Sequence, residues 1–316
     1  MKKLFAILLA VVICLSLAAC GNNETVAQAG GTQGNDSKGE TLAGTSETTA
    51  PAETFPALDQ ALSGSLGDNV TFLLDTNGTL TISGEGRMQS FTYGDGAVDT
   101  PWFDVRECIR AVVIEEGVTN ISAHTFFKCG NMQSIVIPST VYDIGSVSFA
   151  YCKSLKEIVI PEGETQLGNS TFAGCTSLTK VVLPESLTSI MQDAFSSCGI
   201  TSIVIPDSVD FLGSSLFMWC TSLTDVQLPA SLDEVMDYTF SNCQSLESIV
   251  IPDGVEEIGN EAFSDCTNLK QITIPASVTY IGKDVFVDCG EVTIIGEAGS
   301  YAQTYAQNNG IAFREK

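Results

Sequence analysis

The sequence is poor in the residues on which most catalytic and nucleic-acid-binding sites depend. It has a single histidine, His124, and no G-x-S-x-G, H-E-x-x-H or phosphate-loop motif, so the common nucleophilic, zinc-dependent and phosphoryl-transfer mechanisms lack their usual residues. Lysine and arginine total 14, against 38 aspartates and glutamates. A chain this acidic repels nucleic acid. We therefore expect no catalytic residues, no cofactor, no metal and no nucleic-acid partner.

The apolar run at the N-terminus, Leu4 to Leu17, is too short to span a bilayer comfortably. It follows two lysines and has the layout of a secretory signal. The residues that end it, Leu17-Ala18-Ala19-Cys20, resemble the lipobox of bacterial lipoproteins. That resemblance implies cleavage before Cys20 and a lipid on its thiol, which would anchor the protein to the bacterial membrane. The alternative is a plain signal peptide with an incidental cysteine.

The predicted domain boundaries follow shifts in composition. Residues 21–57 are rich in Gly, Thr, Glu, Ser and Ala and almost lack large apolar side chains. Such a segment cannot bury enough surface to offset its ordering entropy, so we expect a disordered tether. An N-terminal β cap is predicted over residues 58–108, repeats over residues 109–290 and a C-terminal cap over residues 291–316. Together with a signal peptide at residues 1–20, this arrangement is typical of a surface-displayed protein.

The strongest feature of the sequence is a ladder of cysteines at a nearly constant interval. The ladder cysteines are Cys129, Cys152, Cys175, Cys198, Cys220, Cys243, Cys266 and Cys289. Successive members lie 23 residues apart, with one step of 22, and each follows a phenylalanine by three residues. Self-similarity at a period in the twenties indicates a solenoid, in which each copy contacts only its neighbours.

One copy, residues 246–266, illustrates how the pattern forms a coil. Leu246, Ile249 and Ile251 predict a short strand with its apolar side chains inward and Val250 on the opposite face. The proline that follows ends the strand, because it lacks an N–H donor. A second inward stretch, with a valine and an isoleucine, then leads to the phenylalanine and cysteine that fill the corner before the next copy.

The repeat phrase I-P-x-x-V-x-x-I-G-x-x-A-F-x-x-C resembles the BspA-like leucine-rich repeat. The lead-in SGSLGDNVTFLLDTNGTLTISGEGRM followed by TPWF, and the ending VTIIGEAGSYAQTYAQNNGIAF, also resemble that family. The resemblance covers about residues 64–313. It implies an α/β leucine-rich-repeat solenoid with a parallel β-sheet, secreted or attached to the cell surface, that binds host or matrix proteins. It implies no catalytic residues.

Both ends of the repeat array are predicted to be covered. The segment VTFLLDTNGTLTISG alternates apolar and polar residues around Asn-Gly, which predicts a β-hairpin over the first edge. At the other end, Ser300 and Gln303 form a capping-box pair that opens a short helix, and Gly310 ends it. Tyr301 and Tyr305 share one face of this helix, which we expect to shield the last coil.

Disulfides or a metal site are alternative interpretations of the ladder cysteines, since neighbouring coils lie close enough for some cysteines to pair. Every ladder cysteine nevertheless occupies the same apolar corner, and free cysteine is among the most buried residue types. No histidine accompanies the ladder. With Cys20 lipidated and Cys14 removed, the ladder and the out-of-phase Cys108 leave nine thiols, an odd number. We therefore expect buried free thiols.

Two polar residues need separate consideration: Glu164, which departs from the pattern, and His124, the single histidine. Glu164 occupies an inward position that Val255 and Val278 take in other copies. We expect a local bulge that turns Glu164 outward, because a buried carboxylate is costly; the alternative is a buried, functional carboxylate. His124 lies at a variable position just ahead of Phe126, where we expect its side chain to be solvated.

The outward position of each predicted strand is the candidate ligand-binding face. Its residues are Val113, Val136, Val159, Val182, Val204, Gln227, Val250 and Thr273. Stacked coils would align them in a stripe of mostly β-branched side chains. Such residues are favoured on any pleated sheet, where they brace one another, but a contiguous exposed apolar stripe also marks interaction sites. Flanking residues of varied charge would form a rim that sets specificity; they are Lys156, Glu157, Lys180, Asp225, Glu247 and Lys270.

The sequence thus favours a non-enzymatic, lipid-anchored surface protein that binds another macromolecule through the sheet face. The expected partner is a protein or other surface macromolecule of a host, a matrix or a neighbouring cell, besides the membrane that holds the lipid. A structural spacer or cell-envelope component is the alternative. An enzyme with a site in the N-terminal hairpin region or at Glu164 is the least favoured hypothesis.

Overall fold

The computed structural model describes residues 56–316. The predicted signal peptide with Cys20 lies outside this range, as does the predicted tether except for residues 56 and 57. The described residues form one stack of β-strand coils with a cap at each end. None of the helices in this part of the chain is both long and apolar enough to cross a membrane.

The N-terminal cap is a β-sheet that continues into the coils. Strands β2 (Val70–Leu74) and β3 (Thr79–Gly84) form the predicted antiparallel hairpin around the Asn-Gly turn. Strand β3 then pairs in parallel with β6 (Ala111–Ile114), the strand of the first coil. The hairpin therefore covers the first edge of the sheet, as predicted. Strand β1 (Leu62–Ser65), which the sequence pattern did not indicate, pairs with the outer side of β2.

A short connecting region joins this cap to the coils. It contains a small hairpin of β4 (Tyr93–Gly94) and β5 (Ala97–Val98), followed by a 3₁₀ helix, Phe103–Cys108, which ends at the buried free thiol of Cys108. Trp102 is buried just ahead of that helix, and its Nε1 donates a hydrogen bond to the carbonyl oxygen of Thr125 at 3.0 Å. The indole therefore fixes the cap to the first corner of the repeat array.

Each coil begins with a strand of a first parallel sheet. These strands are β6, β7 (Ser134–Val136), β8 (Glu157–Val159), β10 (Lys180–Val182), β12 (Ser202–Val204), β14 (Asp225–Gln227), β16 (Ser248–Val250), β18 (Gln271–Thr273) and β20 (Thr293–Gly296). In the coil of β16, Ile249 and Ile251 are buried while Val250 faces solvent, which is the predicted alternation. The coils stack in register, with Ile249 directly opposite Ile272 of the next coil.

After the proline, most coils contribute a two-residue strand to a second parallel sheet. These strands are β9 (Gln166–Leu167), β11 (Ser189–Ile190), β13 (Phe211–Leu212), β15 (Glu234–Val235), β17 (Glu257–Ile258) and β19 (Tyr280–Ile281). In two earlier coils a single bridge, Ile121 to Ile144, takes their place. The sequence predicted these inward residues but not their pairing into a sheet.

Strand pairing is interrupted at several levels of the stack, and at one level both sheets are interrupted together. The first sheet does not pair β7 with β8, and the second does not pair Ile144 with β9. We call this level, between the coil of β7 and the coil of β8, the seam. At every other level between β6 and β20, strand pairing continues in at least one of the two sheets.

A pair of left-handed residues, four positions apart, shapes the third side of each coil. The pairs are His124 and Lys128, Val147 and Tyr151, Ser170 and Gly174, Asp193 and Ser197, Ser215 and Trp219, Tyr238 and Asn242, Glu261 and Asp265, and Asp284 and Asp288. Their φ angles lie between 51° and 74°, which is unfavourable for most residue types. Hydrogen bonds to the next coil hold the corner: Tyr151 N, for example, donates to Ala173 O at 2.7 Å.

The corners enclose a stack of phenylalanine rings and a ladder of thiols. From Phe126 to Phe286, successive ring centroids lie 5.2–5.9 Å apart in stacked orientation. All ladder cysteines are free thiols, and all except the half-buried Cys289 are buried. Seven of them donate to the phenylalanine carbonyl of the preceding coil, at 3.0–3.2 Å. The thiol thus fills an apolar space and also satisfies a buried carbonyl oxygen.

Burial makes the ladder thiols poor nucleophiles, except for Cys175, where the effect of burial is outweighed by hydrogen bonds from Cys152 and Cys198, so that its pKa is lowered. Burial raises the pKa of Cys220 and that of Cys266 to about 12 each, and a thiolate is the reactive form of cysteine. Among residues 56–316, no three His, Cys, Asp or Glu side chains are arranged to hold a metal ion. The contacts that the structure shows for the ladder thiols are those of packing and hydrogen bonding.

The C-terminal cap begins with the predicted helix. Helix α1 spans Tyr301–Asn309; the Ser300 side chain accepts a hydrogen bond from Gln303 N at 3.3 Å, and Gly310 ends the helix at φ 69°. After the helix, β21 (Ala312–Glu315) pairs in parallel with β20 and closes the sheet. The sequence predicted the helix and both of its ends, but not this last strand.

The helix covers the last coil through small residues more than through its tyrosines. Ala302 and Ala306 are buried, whereas Tyr301 is exposed. Tyr305 packs edge-on against Phe286, with ring centroids 6.3 Å apart. The phenylalanine stack therefore ends on an aromatic ring of the C-terminal cap, as it begins on Trp102 of the N-terminal region.

The prediction that Glu164 turns outward is wrong. Its side chain is buried, with 3% of its surface exposed, and its N–H bonds to Pro161 O in the same turn that directs Val141 and Leu187 inward in neighbouring coils. The turn after each proline therefore fixes the direction of this residue whatever its polarity. No bulge forms.

Glu164 is tolerated there because it lies at the seam. Its Oε1 accepts hydrogen bonds from Thr165 N at 3.1 Å and from Gln166 N at 3.2 Å. In the next coil, the equivalent N–H groups of Thr188 and Ser189 bond across to Thr165 O. The carboxyl group thus replaces bonds that the interrupted second sheet does not supply. Its Oε2 is buried without a hydrogen-bond partner in the described part of the chain, and burial raises the pKa of Glu164 from 4.5 to about 7.

The raised pKa predicts a pH-dependent contribution of Glu164 to stability. As pH rises above 4.5, the unfolded state releases the proton first, so the free energy of unfolding falls until pH exceeds about 7. Between pH 5 and pH 8 we expect this group to lower the free energy of unfolding by about 2 kcal/mol. Glu164→Gln retains the acceptor oxygen and removes the titration. Urea denaturation across this range should show the wild type losing more stability than the variant; parallel curves would contradict the assignment.

Candidate binding surface

The predicted outward residues lie together on the solvent face of the first sheet. Val159, Val182, Val204, Gln227 and Val250 are exposed. Val204 and Val250 are the most open, with 59% and 66% of their surface exposed. The remaining members, Val113, Val136 and Thr273, are half-buried. We call this set the outward column.

Cross-strand pairing brings members of the outward column side by side. Val159 lies directly opposite Val182, Val204 opposite Gln227, and Val250 opposite Thr273. Neighbours at such positions are about 5 Å apart, so their branched side chains contact one another and keep few accessible rotamers. A partner that covers the column would bury apolar surface with little loss of side-chain entropy.

A second, polar column runs beside the apolar one on the same face. It consists of the first residue of each three-residue strand: Ser134, Glu157, Lys180, Ser202, Asp225, Ser248 and Gln271. Lys180 Nζ lies 3.6 Å from Glu157 Oε2, and in the neighbouring flank Lys270 Nζ lies 2.8 Å from Glu247 Oε2. Such exposed ion pairs add little stability. They place charges of both signs beside the apolar column.

The electrostatic surroundings become strongly acidic towards the C-terminal coils. From Val181 to Leu269 the chain contains 14 aspartates and glutamates and no lysine or arginine. In the second sheet Glu234 lies directly opposite Glu257. Burial and the neighbouring carboxylates, Glu257 first among them, raise the pKa of Glu234. This half of the stack favours partners that bring positive charge.

His124, expected to be solvated, is instead half-buried against aromatic rings. Its ring stacks on Tyr93 at a centroid distance of 6.1 Å and meets Phe127 edge-on at 6.2 Å. Its Nδ1 is buried without a hydrogen-bond partner in the described residues, and burial lowers the pKa of His124. This contact could not be predicted from the repeat pattern, because Tyr93 belongs to the region between cap and coils, which has no repeat.

Comparison with known proteins agrees with the repeat pattern. A model of the BspA type leucine-rich repeat region, in six copies, matches residues 100–224 and 191–304. No curated protein matches the chain in sequence.

Three solved structures illustrate the likeness. A leucine-rich cell surface protein from Faecalibacterium prausnitzii A2-165 is 22% identical over 78% of this chain and 97% of its own, with a TM-score of 0.30. The leucine-rich repeat protein of T. pallidum is 25% identical over 75% of this chain and 91% of its own, with a TM-score of 0.46. The pneumococcal vaccine antigen PcpA is 12% identical over 83% of this chain and 100% of its own, with a TM-score of 0.31.

The match to the family model covers well over half of the chain and includes every ladder cysteine and every corner phenylalanine. In the structure, the same residues form the buried side of a parallel-sheet solenoid. The chain therefore belongs to the BspA type leucine-rich repeat family.

Proposed function

We propose that this chain is a lipid-anchored protein of the bacterial cell surface that binds another macromolecule through the outward column. The partner is a protein or other macromolecule of a host, a matrix or a neighbouring cell. Binding rests on complementary shape and charge over the rigid sheet, with no bond made or broken. Leucine-rich repeat proteins commonly serve in protein interaction, which agrees with this role.

The observation that carries the proposal is the exposure of the outward column. Val204 and Val250 leave more than half of their surface in solvent, although this chain places its other strand valines and isoleucines largely inside. Isolated exposed apolar residues are ordinary on protein surfaces. An aligned series of exposed apolar side chains on neighbouring parallel strands is typical of an interaction surface. A partner that covered it would gain about 25 cal/mol of binding free energy per Å² of apolar area buried.

The proposed location rests on the sequence of the first twenty residues. The apolar run Leu4 to Leu17 and the lipobox-like Leu17-Ala18-Ala19-Cys20 support export and lipid attachment. Several acyl chains on Cys20 would hold the protein stably, since each buried methylene contributes about 0.8 kcal/mol. The polar segment that follows would then separate the repeats from the membrane.

Charge placed on the outward column should abolish partner capture. Val159→Lys with Val204→Lys puts two ammonium groups where the partner would bury apolar surface, so we expect at least a tenfold loss of capture. Residues 21–316, immobilised and exposed to host cell-surface and matrix extracts, provide the assay. Circular dichroism should be unchanged, because both side chains are exposed.

The matched control adds the same charge elsewhere. Phe211 and Val287 are also exposed, at 40% and 41%, but lie outside the first sheet. Phe211→Lys with Val287→Lys should capture the partner as the wild type does. If the outward-column variant captures it equally well, the column only braces the sheet and the proposal fails.

Removal of the lipid site should release the protein. In Cys20→Ala we expect loss of labelled fatty-acid incorporation and a shift from the membrane fraction to the medium. Cys14→Ala, which changes a cysteine inside the apolar run, should remain anchored and labelled. Full membrane retention of Cys20→Ala would count against the anchor.

A further inference from the structure

A shallow depression of about 410 Å³ lies where the 3₁₀ helix meets the corners of the first two ladder coils. We call it the corner depression. Its principal residues are Arg106, Glu107, Lys128, Asn131, Tyr151 and Lys153. It lies on the corner side of the coils, apart from the outward column, and the proposed function does not use it.

The corner depression is positively charged in a chain that is otherwise strongly acidic. Three of the chain's 14 lysines and arginines line it, against the single carboxylate of Glu107. None of the four salt bridges within residues 56–316 involves these three cations. They are therefore available to an external anion.

Two of the cations are held in place by aromatic rings. The Arg106 guanidinium lies 4.1 Å from the centroid of Phe103 and donates to the carbonyl oxygen of the same residue. Lys128 Nζ lies 4.9 Å from the centroid of Phe127. Cation–π contacts of this kind orient a charged group and leave its remaining donors open. On the other side, Asn131 donates to the backbone oxygen of Glu107 at 2.7 Å, which fixes the amide at the edge of the site.

Tyr151 supplies a flat apolar wall. Its side chain is 46% exposed, and its ring meets Phe127 edge-on at 6.0 Å. The ring lies over Gly174 of the next coil, where an added Cβ would come within 2.6 Å of Tyr151 Cδ1. Gly174 is the one glycine among the sixteen left-handed corner positions. Because Gly174 has no side chain, the Tyr151 ring can pack against its backbone.

We propose that the corner depression binds an acidic saccharide, a sugar ring that carries a carboxylate or a sulfate. The ring of Tyr151 would take the apolar face of the sugar. Lys128, Lys153 and Arg106 would take the anionic group, and Asn131 and Glu107 the hydroxyls. The site is open and shallow, which suits a ligand that keeps one polar face in water. Tyr93, which is exposed and packs edge-on against the buried Phe127 with ring centroids 5.6 Å apart, extends the aromatic surface towards further sugar units.

Titration calorimetry of residues 21–316 with defined oligosaccharides tests the proposal. The probes are an oligogalacturonate for the carboxylate, a chondroitin sulfate oligosaccharide for the sulfate, and a neutral cello-oligosaccharide of equal length. At least one acidic probe should bind, and the neutral one at least tenfold more weakly. Failure of both acidic probes, or equal binding of the neutral one, would overturn the assignment.

Gly174→Asn isolates the role of the tyrosine. Asparagine tolerates left-handed φ, and Asn242 occupies the equivalent corner of another coil, so the fold should survive while the Tyr151 ring is displaced. We expect at least a tenfold loss of affinity for the acidic probe. Ser197→Asn, the same change one coil further along, should bind as the wild type does. Unchanged affinity in Gly174→Asn would exclude the tyrosine wall.

Charge removal completes the test. Lys128→Gln with Lys153→Gln should weaken binding of the acidic probe at least tenfold and flatten its salt dependence. Lys270→Gln with Lys283→Gln, which changes the net charge equally, should not. Equal losses in the two variants would mean only general electrostatic attraction. Val159→Lys with Val204→Lys should leave saccharide binding intact, so failure of this proposal is distinct from failure of the outward column.

Discussion

The stack of one phenylalanine per coil is the contact on which the other elements of the structure depend. Ring centroids 5.2–5.9 Å apart match the spacing of parallel strands closely enough for each ring to rest on the last. The stack requires every corner to have the same backbone conformation. That conformation includes two left-handed residues per coil, each costly alone. Hydrogen bonds between neighbouring corners, and thiols that donate to the phenylalanine carbonyls, stabilise it.

This dependence separates the molecule into a repeated interior and a varied exterior. Inside, nearly every coil carries the same apolar residues, because each must match the coils on both sides. Outside, a side chain has only to be compatible with the backbone conformation at its position, so residue types vary from coil to coil. Gln227 follows Val204 in the outward column, and Tyr151 precedes Gly174 at the corners. Both candidate binding surfaces lie in this varied exterior. A solenoid offers many such positions without any change to its core.

The sequence predicted what the period determines, and it failed where a single coil differs from the others. The inward residues, the proline breaks, the hairpin of the N-terminal cap and the helix of the C-terminal cap followed from spacing and residue type, whereas β1 and β21 did not. The direction of Glu164 did not, because polarity argued for solvent while the turn after Pro161 directed it inward. The left-handed corners also escaped prediction: Val147 and Tyr151 are not residues that signal positive φ. The corner depression needed coordinates, since Arg106 belongs to a helix outside the repeat.

The seam gives the solenoid an uneven resistance to stretching. When the stack is pulled along its axis, the hydrogen bonds between paired strands share the load. At the seam no strands are paired, so the corner contacts bear it instead. These contacts include the Phe149 and Phe172 rings, with centroids 5.2 Å apart, and the hydrogen bond from the Cys175 thiol to Phe149 O. A pull between the N-terminal cap and the distal coils would therefore part the body first at this joint. Tyr151 reaches across the same joint to lie over Gly174, so a ligand that holds this ring in place would preserve one of the side-chain contacts that span the joint.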